Sequence, residues 1–314
     1  METIHKILNV VFPVLSAILF MVLVPLFWFL NLLRFWFKKA YPEDIAGKVI
    51  LITGASSGIG EHLAIEFAKE GACLALVARR KKELQVVAET AKAMGSPDVV
   101  VIPADVSKLD ECNRFVDETI KHFGKLDYLV NNAAICTFGF FEGQTYLPYH
   151  ASVMDINFWG SVYSTHSSLP HLRKNKGKII AICSCGGWFA TPRVSIYNAS
   201  KAAVLSFFET LRMEVGSDVD ISVVTPGMVE TSLANKKWLQ EGNAMWIPRI
   251  SAKTCAKAVV DSTKRGEKYI TMPSWMETVL LWKLFCPQIT NSIMNFVFVL
   301  WPKISSKNAK IRDS

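Results

Sequence analysis

Thr53-Gly54-Ala55-Ser56-Ser57-Gly58-Ile59-Gly60 is the stretch that decides how this chain is read. It follows a short apolar run, Val49–Thr53, and leads into a segment with helical patterning. Glycines in such a place let the backbone turn tightly and approach a pyrophosphate, whose charge the following helix N-terminus stabilises. A glycine-rich loop alone is often only a turn, and its weight here comes from its place between a first strand and a helix. It predicts a dinucleotide site lined by Gly54, Ser56, Ser57, Gly58, Ile59 and Gly60.

Further apolar runs follow at Cys73–Ala78, Val99–Pro103, Tyr128–Asn131, 179–184, 221–225 and Tyr269–Met272. Their hydrophobicity is continuous rather than alternating, as in parallel strands buried on both faces. Amphipathic segments of helical length separate them, several stopping at a glycine: Gly71, Gly95 and Gly124. Ser107 with Asp110 resembles a capping box opening one helix. Together these features predict an α/β chain, a Rossmann-type doubly wound parallel sheet of seven strands. Ligands of such a sheet bind at the carboxyl ends of its strands.

The end of the second strand reads Ala78-Arg79-Arg80-Lys81-Lys82. About twenty positions after the loop, an NAD site places an acidic residue against the ribose 2′-hydroxyl. Arginines stand there instead, so Arg79, with Arg80 beside it, is expected to pair with a 2′-phosphate and select NADP(H); Lys81 and Lys82 read as the solvated start of a helix.

Tyr197 and Lys201, four apart on a predicted helix, share a face. A neighbouring ammonium, together with a positive nicotinamide ring, favours the tyrosinate, which makes Tyr197 a proton donor and acceptor for an alcohol/ketone pair. Ser184 ends the preceding strand, where its hydroxyl is placed to hold the substrate oxygen, and Asn157 falls in a helical stretch.

The loop TGASSGIG, Asn131-Asn132-Ala133-Ala134, Asn157, Ser184, Tyr197, Lys201 and Pro226-Gly227 together resemble the short-chain dehydrogenase/reductase family over roughly residues 47–273. The resemblance implies that Tyr197 is the acid/base, that Lys201 lowers its pKa and binds the nicotinamide ribose, and that Asn157 supports a proton-relay water. It further implies that Asp105 contacts the adenine, that Asn131 and Ala133 line the cofactor, and that Thr231 holds the carboxamide. Ala134 departs from the pattern, since the family more often has glycine there, and should crowd the site slightly. Within the family, Ser206-Phe207-Phe208-Glu209-Thr210, the run Asn157–Tyr163 and a proline-containing apolar N-terminus resemble plant steroleosins, 11β-hydroxysteroid dehydrogenase-like proteins of seed oil bodies. That likeness implies a sterol or steroid substrate, NADP(H), and a lipid-droplet or endoplasmic-reticulum location. Retinol, a fatty ketone or a sphingoid ketone remain alternative substrates, and a non-catalytic droplet coat is the alternative of another class. The intact set Asn157, Ser184, Tyr197 and Lys201 argues against the coat. Trp188, Phe189, Met228, Trp238, Met245 and Trp246 are the expected pocket wall.

The 314-residue chain is 51% hydrophobic, and the excess is concentrated at its start. Residues 10–30 carry no charge, enough to cross a bilayer, and no small-residue cleavage site follows. Pro13 and Pro25 leave open a kinked span or a hairpin. Arg34, Lys38 and Lys39 after the run put the remainder in the cytosol by the positive-inside rule. Seven dispersed cysteines fit a reducing compartment, and the sequon at Asn198, lying within the catalytic helix, is disregarded. The net charge of +8 is scattered rather than patched, which excludes nucleic acid as a partner, and no His, Cys or carboxylate spacing suggests a metal. The expected organisation is an anchor over 1–40, a hinge at Tyr41-Pro42 opening a catalytic domain over 41–273, and an aromatic extension over 274–314. The extension is read as helices on the core, a homodimer contact, or a lid touching the bilayer, and pairing is expected through residues 148–174 and 196–215.

Overall fold

The computed structural model describes residues 1–40, 42–143, 147–234 and 247–301. It divides into two units, Met1–Glu43 and Asp44–Ser314. The first is a single helix, α1 (Glu2–Ala40), uninterrupted by Pro13 and Pro25. The hairpin alternative is therefore not the form taken. At 39 residues α1 is about 58 Å long, against about 30 Å of bilayer hydrocarbon. Residues Glu2–Leu30 are long and apolar enough to cross a membrane, and side chains such as Phe20 and Trp28 are exposed. Tyr41 of the expected hinge, and the tail from Pro302 onward, lie outside the described residues.

The second unit is built on a seven-stranded parallel sheet. Its strands are β1 (Val49–Thr53), β2 (Cys73–Ala78), β3 (Val99–Pro103), β4 (Tyr128–Asn131), β5 (Lys178–Ile182), β6 (Asp220–Pro226) and β9 (Tyr269–Met272). Their order is β3-β2-β1-β4-β5-β6-β9. A small separate pair, β7 (Val229–Glu230) with β8 (Ile250–Ser251), is too short to leave a sequence signal. Alternate residues of each strand enter two different cores, which is why the runs read as continuously apolar. Ile50, Ile52, Leu74, Leu76 and Ile180 pack on one face with Leu63 and Phe67 of α2 (Gly58–Lys69) and with α3 (Lys81–Ala93). Val49, Leu51, Val77, Leu129 and Ile179 pack on the other with Phe115 of α4 (Leu109–Phe123) and Phe208.

Gly71, Gly95 and Gly124 all follow helix ends with positive φ, as expected of C-terminal stops. The capping box does not form. Lys108 is the N-cap of α4, and Ser107 instead donates its hydroxyl to Asp105 at 2.8 Å. The expected helix 148–174 is divided: α5 (Leu147–Met154), a π-helical turn over Asp155–Trp159, and α6 (Gly160–Lys174). Then come α7 (Ser195–Val215), α8 (Ala252–Lys264), α9 (Met276–Phe285) and α10 (Pro287–Asn295), the last running into a π-helical turn over Phe296–Leu300.

The strand order reverses between β1 and β4. Two chain halves wind away from each other at that point, which opens a crevice above the carboxyl ends of the strands. The glycine loop after β1 and the Asn131–Ala134 segment after β4 both stand there.

Candidate active site

One cavity of about 610 Å³ lies at this crevice. Its lining runs from Arg79 and Arg80 after β2, past the glycine loop, to Tyr197 and Lys201 on α7. β2 and β5 are three strand spacings apart, about 14 Å, so the two arginines and the tyrosine mark opposite ends.

The glycine loop is bare backbone for steric reasons. Gly54 has φ +66, and a Cβ there would stand 2.7 Å from Cα of Ala133; at Gly60 it would stand 2.5 Å from the Gly54 carbonyl oxygen. Thr53 ties the loop to β4, its hydroxyl donating to the Val130 carbonyl and accepting from the backbone N–H of Asn132 at 3.0 Å. Asn132 returns the contact by donating from Nδ2 to the Thr53 carbonyl at 2.9 Å. Gly54→Ala therefore combines a left-handed backbone with a backbone clash. It should lower stability by about 1–3 kcal/mol and weaken dinucleotide binding, read from thermal melts with and without cofactor.

Arg80, not Arg79, reaches the loop: its guanidinium donates to Ser56 Oγ at 2.9 Å and Ser57 Oγ at 2.8 Å. Arg79 lines the cavity without a hydrogen bond to the loop serines, and both arginines are exposed. Asp105 lines the cavity, its carboxylate accepting from the N–H and hydroxyl of Ser107. Thr231 closes over the loop, with its side chain near the position a Cβ on Gly58 would take. Ile59 and Ala133 also line the cavity, and Ala134 does so without a positive φ.

Three expected lining residues are not in the wall, the first being Gly60, which is buried against the Gly54 carbonyl and the Asn132 side chain. Asn131, the last residue of β4, points its amide into the protein, donating to Thr165 Oγ1 at 2.9 Å, and its neighbour Asn132 faces the cavity instead. Side chains alternate along a strand, so one register step separates the two outcomes. Asn157 is fully buried in the π-helical turn. Its Oδ1 accepts from the Ile135 N–H at 2.8 Å, and its Nδ2 donates to the Ile135 carbonyl at 2.9 Å and to Ser200 Oγ at 2.9 Å. It fixes the β4–α5 segment, whose Ile135 and Cys136 do line the cavity, against α7.

Ser184, Tyr197 and Lys201 do come together. β5 stops at Ile182, two residues earlier than expected, and Ser184 caps a short 3-10 turn by accepting from the Gly186 N–H at 3.1 Å. That turn sets Ser184 in the cavity wall with Tyr197, its hydroxyl donating to the Pro226 carbonyl at 3.5 Å. Lys201 is buried one turn along α7, donating to the Ile182 carbonyl at 2.9 Å, with Nζ 5.9 Å from the centre of the Tyr197 ring.

Electrostatics here are ruled by burial. The crowd of protein atoms around the Tyr197 hydroxyl raises its pKa; the thiols of Cys136, Cys183 and Cys185 add to this and Ser184 opposes it. Burial likewise lowers Lys201. Among the protein's own groups, desolvation sets the direction for Tyr197, and the lowering by Lys201 that the spacing led one to expect does not appear. Burial also pushes the Cys136 thiol up to about 12 and the Cys185 thiol up to about 11.

Of the expected substrate-pocket wall, Met228 lines the cavity. Trp188 and Phe189 do not; the Trp188 carbonyl instead accepts from Lys283 Nζ. Trp238, Met245 and Trp246 lie outside the described residues. Asn132, Cys136 and Asn198 are lining residues that sequence reasoning left without a role; for Asn132 the signal was its place beside the end of a strand.

The chain is 47% identical over 301 residues to 11-beta-hydroxysteroid dehydrogenase 1A of Arabidopsis thaliana, covering 92% of this chain and 86% of that protein. Its fold is similar to a short chain dehydrogenase/reductase from Burkholderia phymatum in complex with NAD, at 25% identity and TM-score 0.72, covering 78% of this chain and 96% of the other. An alcohol dehydrogenase from Thermococcus sibiricus, complexed with 5-hydroxy-NADP, is similar at 26% identity and TM-score 0.64, over 72% and 94% of the two chains. The sequence pattern of the short chain dehydrogenases itself matches residues 48–242, from the start of β1 through the glycine loop, Ser184 and α7. This chain belongs to the short-chain dehydrogenase family and is an oxidoreductase of that kind.

Proposed function

We propose that the protein is an NADP(H)-dependent oxidoreductase that interconverts hydroxyl and keto groups on a sterol or steroid while held at a lipid surface by α1. The observation that carries this reading is a single cavity with an arginine pair at one end and a Ser184–Tyr197–Lys201 group at the other. A nicotinamide dinucleotide fits the residues present, because the loop residues Gly54, Ser56, Ser57 and Gly58 line the cavity beside Arg80. When bound, it supplies the hydride acceptor or donor. Gly54, Ser56, Ser57, Gly58 and Ile59 would hold its phosphates, Arg79 and Arg80 a 2′-phosphate, and Asp105 and Ala133 its adenine half. Thr231 and Lys201 would hold the nicotinamide half.

Tyr197 does the proton work. Its phenol is raised by burial and so keeps its proton at neutral pH, ready to pass it to a carbonyl oxygen in reduction. Ser184 orients that oxygen. Lys201, with one N–H committed to the Ile182 carbonyl, has others left for ribose hydroxyls. Asn157 acts at one remove by holding Ile135 and Ser200. The substrate class comes from the similarity to plant hydroxysteroid dehydrogenases, supported by Met228, Val194 and Cys136 as an apolar wall at the tyrosine end.

The test is NADPH oxidation and NADP+ reduction by the full-length chain in detergent, against a panel of keto- and hydroxysteroids, with retinoids and long-chain ketones alongside. Turnover on the steroids supports the reading, turnover only on another lipophile moves the substrate, and cofactor binding without any turnover removes the enzyme assignment. Insertion of α1 with the catalytic unit in the cytosol, at the endoplasmic reticulum or a lipid droplet, is the companion proposal. Added protease should degrade residues 44–301 on sealed microsomes, and their protection would overturn it. Trp159, in the π-helical turn and stacked on Tyr163 of α6, and Met213 of α7 are exposed and favour pairing of two copies there, visible as a doubled mass in sedimentation.

A further inference from the structure

Arg193 is one of two described non-glycine residues with positive φ, at 73°. An L-residue holds that conformation only where its surroundings impose it. Here they do so from three sides. Its carbonyl accepts from the Gly139 N–H at 2.8 Å. Its guanidinium stands 4.4 Å from the centre of the Phe140 ring and 5.7 Å from that of Phe138, within cation–π range of both. Its Nε donates to the Phe298 carbonyl at 3.2 Å, 105 residues away in sequence.

Each segment so joined lines the cavity or packs on a residue that does. Cys136 lies just before the phenylalanine pair, and Thr191 and Val194 flank Arg193 itself; all three line the tyrosine end. Phe298 is buried with Met294 and Val297 against Met228, which lines the same end. A second cation works alongside, with Lys283 of α9 donating to the Trp188 carbonyl in the turn that follows Ser184. Both bonds run from a side-chain cation to a backbone carbonyl, so they fix chain position without depending on the partner's residue type.

We infer that Arg193 is a positioning residue that locks the C-terminal segment 287–301 to the β4–α5 and β5–α7 segments, making it a fixed support behind Met228 at the substrate end of the cavity. The extension is then part of the site's frame rather than a freely moving lid. The kinetic part of this inference rests on the proposed oxidoreductase function; the structural part does not.

The experiment compares the full-length wild type with Arg193→Asn and Arg193→Lys. Asparagine tolerates a positive φ, so the turn keeps its backbone while losing the cation, and lysine restores the charge. Arg193→Asn should speed amide hydrogen exchange by about tenfold in both 136–143 and 287–301, leaving β1 and β2 unchanged, with Arg193→Lys in between. On a keto-steroid that the wild type reduces, KM should rise by about tenfold with kcat within about twofold, the pattern of lost uniform binding. Faster exchange confined to 188–195, or an unchanged KM, overturns the inference. If the wild type reduces no steroid, the functional proposal fails, and the exchange pattern still decides for or against the clamp.

Discussion

Tyr197→Phe should leave the chain folded and able to bind its nucleotide, while lowering turnover by about 10²–10⁴-fold, the usual worth of a positioned acid/base group. The substitution removes one hydroxyl and keeps the ring. Ser184 retains its bond from the Gly186 N–H at 3.1 Å, so the turn that carries it does not collapse. Lys201 retains the Ile182 carbonyl. Steady-state kcat and a fluorescence titration of NADPH, measured on the same preparation, separate chemistry from binding. A loss smaller than tenfold would sink the assignment. The direction of the pKa shift gives the pH dependence of the wild type. Burial raises Tyr197, so the protonated donor persists through neutral pH and reduction should be flat there. Oxidation needs the phenolate, whose fraction grows tenfold per pH unit below the pKa, so its rate should climb with pH. The opposite slopes would assign the proton to another group.

The second large effect concerns cofactor choice. Replacing Arg79 and Arg80 together by alanine should reduce the preference for NADPH over NADH by about 100-fold in kcat/KM, since hydrogen bonds to a charged group contribute about 1.5–3 kcal/mol each. The single variants divide the work. Arg80 also holds Ser56 and Ser57, so Arg80→Ala should weaken both cofactors, whereas Arg79→Ala should weaken NADPH alone. An enzyme that prefers NADH from the outset would refute the reading of this corner.

Much of the fold was legible because its signals are local. β1, β2, β3 and β4 stand where their apolar runs begin and end, since a parallel strand buried on both faces has no polar residue until it leaves the sheet. The helix stops at Gly71, Gly95 and Gly124 were legible because a left-handed residue is a backbone demand that glycine meets. The misreadings share one cause. Asn131 against Asn132, and Ser107 turning to Asp105 rather than capping α4, were each decided by a polar neighbour one or a few positions away. Spacing names the neighbourhood, and only the three-dimensional path chooses within it. Asn157 was legible as important but not in manner: a π-helical turn rotates it inward to the Ile135 backbone, and composition gives no warning of that. The Arg193 clamp joins residues too distant in sequence for any pattern to connect.

The three thiols beside Tyr197 have a consequence for chemical durability. With Cys136 at about 12 and Cys185 at about 11, about one in ten thousand or fewer of these two thiols is ionised at neutral pH, and burial raises Cys183 as well. A thiol in a cavity wall is ordinarily the first group that an electrophile alkylates. The same desolvation that keeps the phenol protonated keeps these sulfurs unreactive, so the wall's resistance to electrophiles comes from the burial that serves the chemistry.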